Sequence, residues 1–343
     1  MTGGRMLGLP LQLAVLALGL FLLMVVATGM GYITIPFTDV LRVFGGRLLG
    51  RAEWLNGLGE LVPVVIFDVR LPRILTAAAV GAGLAVSGVV FQGILLNPLA
   101  DPYTLGVSAG AALGASIALL FDFSWFGPYS IAVLAFAGAL ATLFLVIYLA
   151  ASGGGLSSNN LILSGVIVTA ILSAAISFMK YLAQEKVAVI IFWLLGSFTS
   201  SNWPQLWLTL ALLAVCTGCF LFFARDLNLI CLGGRVAASL GVETERVRLF
   251  LLIAASLLAA VCVSVSGIIG FVGLLVPHIM RSLTGPDHQR LLPVALLAGA
   301  ILLLGADTIT RALLPSEVPI GVLTALIGGP FFCFIFRQRQ RIG

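Results

Sequence analysis

From Phe123 to Met179 the chain runs for 57 residues without a charged side chain. Water does not accommodate so long an apolar run, and in a bilayer every backbone N–H and C=O must find a partner inside a helix or a closed barrel. The apolar stretches are helix-length rather than ten-residue alternating strands, which excludes an outer-membrane barrel. Gly153–Gly155 divides the run into two spans, because each glycine penalises helix continuation by ~1 kcal/mol relative to alanine. Composition agrees: 61% of the residues are hydrophobic and 9% charged, where a soluble domain carries ~25% charged. The expectation is an all-α polytopic membrane protein. No basic domain stands outside the membrane to bind nucleic acid.

Charge-free segments place about ten transmembrane helices: 11–32, 74–96, 103–121, 131–151, 161–181, 206–223, 249–266, 271–283, 291–307 and 319–336. The first begins after Arg5 and is too long for a cleaved signal peptide, so it reads as a retained span. The seventh and eighth share only 32 uncharged residues, Leu249–Met280, which is short for two crossings. Between the first two spans, 33–69 mixes acids and bases around Trp54 and Phe67 and reads as an external loop with a short amphipathic helix. Between the sixth and seventh, Arg225–Arg248 reads as two short helices outside the membrane, split by Gly233-Gly234 and Gly241. Ten spans put both termini, this segment, Arg281 and Arg290 on one side, with ten bases against five acids; the other side carries eight of each. The surplus places both termini in the cytoplasm.

The second span is distinctive. Ile74–Ala100 is 27 residues without a charge, ~40 Å of helix, and Ala79, Gly83 and Ser87 repeat at every fourth position. Such a strip lets another helix backbone come close, and Gly106, Gly110 and Gly114 repeat it in the third span. A lipid-facing helix would favour Leu and Ile, so this one is expected to be surrounded by protein. NPLADP, with two prolines bracketing Asp101, breaks the chain between them and stiffens the turn.

No catalytic constellation is present. The chain has no GxxxxGK[ST] loop, so it does not hydrolyse ATP by that mechanism. Cys216 and Cys219 form a CxxC inside an apolar helix with no second pair, which reads as buried small hydrophobes. His278 reads as a helix-end hydrogen-bonding residue, with haem ligation as the alternative. The span interiors carry almost no ionisable residues, which argues against an ion-coupled secondary transporter and for an energy source in another chain. Arg225–Arg248 is either a docking surface for such an engine or a solvated loop. Arg70, Arg73 and Arg311 gather on the external side, either to meet an acidic partner or to be neutralised by Asp68 and Glu317.

The blocks RLPR (70–73), SG…F.G…NPLADP (87–102), GVSAGA (106–111), SGIIGFVGLLVPHIMR (266–281), ADTITR (306–311) and EVPIG (317–321) resemble the FecCD-type, or type II, ABC importer permeases. That family carries iron-siderophore, haem and cobalamin, and the likeness covers nearly the whole chain. It implies a single transmembrane permease domain over 1–343 that passes a metal chelate across the bacterial or archaeal inner membrane. The partners implied are a cytoplasmic ABC ATPase dimer, which binds ATP and Mg, and a periplasmic or lipid-anchored substrate-binding protein. A second permease copy, as a homodimer, and membrane lipid complete the set, with no cofactor or metal in this chain. By resemblance, Arg70, Arg73 and Arg311 receive glutamates of the binding protein. Leu232, Gly233, Ala237, Ala238, Leu240 and Gly241 seat in the ATPase. Asn97 and Leu99, with Ser158 and Asn159, form two cytoplasmic gates. The alternative is an ion-coupled secondary transporter working without an ATPase.

Overall fold

The computed structural model describes residues 8–31, 34–48, 50, 52–55, 57–59, 61–151, 156–312 and 318–340. Arg5, Arg51, Glu60, the Gly153–Gly155 turn, Glu317 and Arg341 lie outside them. The described residues form helices joined by turns and irregular segments: α1 (Leu9–Gly29), α2 (Phe37–Leu48), α3 (Leu61–Val64), α4 (Leu71–Ile94), α5 (Val107–Leu120), α6 (Ser130–Ala151), α7 (Ser158–Leu182) and α8 (Val187–Leu194) in the first part of the chain. There follow α9 (Trp203–Phe222), α10 (Ala224–Cys231), α11 (Gly234–Ser239), α12 (Thr244–Ser266), α13 (Val272–Thr284), α14 (His288–Ala312) and α15 (Ile320–Gln340). Ten of these fall on the ten expected spans. Seven segments, containing α1, α4, α6, α7, α9, α12 and α14, are long and apolar enough to cross a bilayer; α5, α13 and the apolar part of α15 are shorter.

Helix α4 is the centre of the bundle. It is buried from Ile74 to Ile94 except at Leu75, and α1, α9, α12, α13 and α14 pack around it. Gly83 lies on the α12 side, where a β-carbon would stand 2.7 Å from Cys262 Sγ, and Ala79 and Ser87 are buried with it. The tightest crossings fall on other faces. A β-carbon on Gly81 would overlap the Gly299 carbonyl of α14, and one on Gly88 would overlap the Gly273 carbonyl of α13. Gly110 and Gly114 meet α6 at Gly138 and Leu134 in the same way, whereas Gly106 abuts Thr169 of α7. Backbone contact of this kind needs a missing side chain on at least one of the two helices, and Gly81, Ala85 and Gly88 recur at the 4- and 3-residue steps that keep one helix face.

One boundary differs from expectation. The second span starts near Leu61 rather than Ile74: α3, a π-helical turn over Val65–Arg70 and α4 make a continuous rod through Ile94. Arg70 and Arg73 therefore sit inside a helix and not at its mouth. The break between α12 and α13 falls where expected, after Ser266 and before Val272. Gly267 (φ 72°) and Phe271 (φ 68°) turn the chain in the left-handed region, and α13 has 13 residues, ~20 Å. Its open backbone groups are paired by neighbours, since Ser197 N–H donates to Ser266 O at 2.8 Å and Tyr103 Oη donates to Ile269 O at 2.8 Å. Irregular backbone persists at depth only where protein supplies such partners. The two helices run beyond the 32 uncharged residues at both ends, from Thr244 to Thr284, and the second is still short.

The 33–69 segment carries α2, whose Val40 and Val43 bury against Ile35 and Ile66. Arg47 lies 4.4 Å from the centroid of Phe67, and Trp203 Nε1 donates to the Phe67 carbonyl at 3.1 Å, tying this layer to α9.

Candidate functional site

The residues singled out by sequence collect at the two ends of the bundle. At one end the π-helical turn, α4, α14 and the end of α1 converge. Asp307 is fully buried between two arginines: Arg73 Nε donates to its Oδ1 at 3.0 Å, and Arg311 Nε lies 3.4 Å from its Oδ2. The remaining positive charge faces α1. Arg70 Nη1 donates to Thr28 O at 2.7 Å, Arg311 Nη1 to Met30 O at 2.8 Å and Arg311 Nη2 to Ala27 O. The last carbonyls of a helix lack intrahelical partners and carry the negative end of its dipole, so guanidinium groups suit them.

This corrects the expectation of an exposed arginine triad. Arg70, Arg73 and Arg311 are 6%, 9% and 6% exposed, each held within the chain. It also corrects the proposed neutraliser: Asp307, not Asp68, is the carboxylate bound to Arg73 and Arg311, and Glu317 lies outside the described residues. The signal was present, because Asp307 and Arg311 are four apart on one helix. Ending the ninth span at Asp307 hid it; α14 runs on to Ala312.

At the other end lie the break after α4 and the hairpin α10–α11. Asn97 folds the NPLADP turn upon itself, its Oδ1 accepting from Leu99 N–H at 3.0 Å, and leaves the Leu99 side chain exposed. Asp101 caps the following turn by accepting from Tyr103 N–H and Thr104 N–H. Burial pushes its carboxyl above the usual range, and the Thr104 and Tyr103 hydrogen bonds pull the other way. Ser158 and Asn159 occupy the first turn of α7, whose N-cap is Ser157, accepting from Asn160 N–H at 3.1 Å. Ser158 is half-buried and Asn159 exposed. Among the described residues no hydrogen bond joins Asn97 or Leu99 to Ser158 or Asn159.

The hairpin exposes apolar side chains among its charged ones at this end. Leu232, Ala238, Leu240 and Gly241 face outward, Gly233 is half-buried, and Gly233 (φ 115°) and Gly241 (φ 89°) make the left-handed turns that bound α11. Ala237 is the exception and a correction: it is fully buried, its carbonyl accepting from Val242 N–H at 3.0 Å, and α11 packs against both α10 and α12. Val236, not anticipated, is exposed in its place. A cavity of about 640 Å³ opens beside the hairpin, lined by Leu96, Pro98, Leu229, Leu232, Arg281 and His288 among others. Arg281 Nη1 donates to Gln92 Oε1 at 2.8 Å, and His288 Nδ1 pairs with Asn228 Oδ1. Cys216 and Cys219 are free thiols, and no cluster among the described residues could hold a metal.

The family model described as the FecCD transport family matches residues 18–338. Among curated relatives, the molybdate import system permease protein MolB of Haemophilus influenzae is 41% identical, over 86% of this chain and 88% of its own. The cobalamin import system permease protein BtuC of Halobacterium salinarum is also 41% identical, over 83% of this chain and 76% of its own. A solved structure described as an inward-facing conformation of a metal-chelate type ABC transporter superposes with a TM-score of 0.83 at 37% identity, covering 96% of this chain and 99% of that one.

Proposed function

Because this chain belongs to the FecCD transport family, we propose that it is the membrane-spanning permease subunit of a binding-protein-dependent ABC importer, moving a metal chelate inward on ATP hydrolysed by a separate subunit. The observation that carries this reading is the hairpin: two short helices outside the long apolar ones, presenting Leu232, Val236 and Leu240 to a partner. A transporter that used an ion gradient would want titratable groups along its path. Here Asp307 is matched by Arg73 and Arg311 at one end, an arrangement that suits structure better than proton exchange.

On this reading the hairpin end faces the cytoplasm with both termini, and an ATPase dimer binds there with its ATP and Mg. The arginine end faces a substrate-binding protein, which is periplasmic or lipid-anchored. A second copy of this chain lies against the apolar face of α7, where Leu163, Val166, Ile167 and Ile171 are exposed, so that the Ser158–Asn159 turns of two copies approach one path. Docking through Arg70 and Arg311 then requires their release from the α1 carbonyls. Reversal of Arg73 is a test of folding rather than docking, since it removes one of the two arginines that hold Asp307.

Relatives of equal identity are named for molybdate and for cobalamin, so likeness alone does not select the cargo. A cobalamin-sized chelate suits apolar and small polar walls that hold it weakly. The test is uptake into proteoliposomes holding this permease with its ATPase, given a binding protein loaded with ferric siderophore, haem, cobalamin or molybdate. Uptake of one chelate that needs ATP is the expected result. Uptake driven by a pH gradient with no nucleotide would establish the ion-coupled alternative instead.

A further inference from the structure

We infer that Arg248 is a positioning residue that ties the α10–α11 hairpin to the start of α7, so that displacement of one moves the other. The inference rests on the proposal that the hairpin is the seat of the ATPase.

Three arginines lie in the stretch from α11 into α12, and they behave differently. Arg235 is exposed, and Arg246 is exposed and paired with Glu243 at 2.6 Å. Arg248, two residues on, turns inward and is half-buried. Its Nη1 donates to the carbonyl of Leu156, 92 residues away, at 3.1 Å. Its Nε is buried with no hydrogen-bond partner among the described residues. Withdrawing a guanidinium from water is costly; nearby Glu245 offsets part of that cost, and the Leu156 carbonyl is the hydrogen-bond partner gained in return.

Leu156 is where such a contact has leverage. The residue packs against the hydrophobic core, and the next residue, Ser157, caps α7. Ser158 and Asn159 follow at once. On the other side of the link, α11 packs on α10 and α12, and the Val242 N–H to Ala237 O bond fixes the turn that leads into α12. Val247 N–H then bonds Glu243 O and begins the continuous helix that holds Arg248. The route from the exposed hairpin to the α7 cap is therefore a short run of rigid pieces: α11, the first turns of α12, one charge-assisted hydrogen bond, and a capped helix end. Among the described residues, this is the hydrogen bond that joins the hairpin–α12 unit to the α6–α7 connection.

The test uses the assembled permease–ATPase complex in lipid nanodiscs, with Cys219, Cys231 and Cys333 replaced by serine and spin labels at Ser239 and at Leu149, beside the α6–α7 connection, both exposed. In the parent chain this distance stays narrow and constant when ATP and Mg²⁺ are added. A second pair, Ser239 and Leu326, changes with ATP and reports the hairpin motion itself. With Arg248→Gln or Arg248→Met the first distance is expected to broaden and to shift on ATP addition, while ATP hydrolysis stays within about twofold. Cobalamin or molybdate delivered per ATP, whichever the transporter accepts, falls about tenfold, inside the range for substitutions along a coupling route. Arg248→Lys keeps a donor on a shorter stem and restores part of the narrow distribution, which loss of packing alone would not do. An unaltered first distance and unaltered delivery per ATP in both neutral variants overturn the link. A Ser239–Leu326 distance indifferent to ATP in the parent chain overturns the ATPase seat, and the link with it.

Discussion

Two ion pairs of the same chemistry stand at opposite ends of this bundle. Arg73 and Asp307 approach to 2.9 Å with side chains 11% and 0% exposed; Arg246 and Glu243 approach to 2.6 Å at 84% and 65%. The first joins α4 to α14 across 234 residues, and the second lies three residues apart at the start of α12. Distance does not separate them, but surroundings do. Water and ions screen the exposed pair, whereas the buried one was stripped of water and is held by further bonds from Arg70 and Arg311 to α1. A charge at the arginine end is therefore part of the fold, and a charge at the hairpin end is part of a surface.

The largest effect that would test this contrast comes from Asp307→Asn, which leaves Arg73 and Arg311 without their carboxylate. It should cost ~3–5 kcal/mol, read by unfolding in mixed SDS micelles, and adding Arg73→Gln should return part of that loss. Next is Gly81→Leu, where α4 crosses α14 at backbone contact: a loss of ~1–3 kcal/mol is expected, because the Gly299 carbonyl cannot retreat like a side-chain tip. Adjacent alanines sharpen the comparison within the hairpin. Ala237→Leu should also lose ~1–3 kcal/mol, while Ala238→Leu on the exposed side stays within ~0.5 kcal/mol, both by the same unfolding measurement. Arg246→Gln should likewise stay small, ~0.2–1 kcal/mol and vanishing in high salt. Should it match Asp307→Asn, the contrast between the ends is wrong.

Much of the architecture was legible beforehand. Charge-free runs located ten helices, and the Gly233-Gly234 and Gly241 breaks located the two short helices between α9 and α12. Less was legible about the site. The every-fourth-residue strip at Ala79, Gly83 and Ser87 marks the α12 side of α4, yet the closest crossings use Gly81 and Gly88, a 7-residue repeat in the same helix. With so many small residues, one periodicity does not choose a face; the neighbours do. The arginines were misplaced for a related reason. A helix carrying Arg70 and Arg73 into the bundle looks unfavourable until Asp307 and the α1 carbonyls are brought beside it.

Hydropathy is a property of each segment against its solvent, so the sequence alone determined that this chain is a helical membrane bundle with a polar hairpin between its sixth and seventh spans. Burial and pairing are relations between residues far apart in the chain, and only the tertiary structure decided those. It withdrew three arginines from the surface, turned Ala237 inward and Val236 outward, and set Arg248 against Leu156. A side chain's charge is written at one position, but the partner that makes its burial tolerable is supplied by another helix.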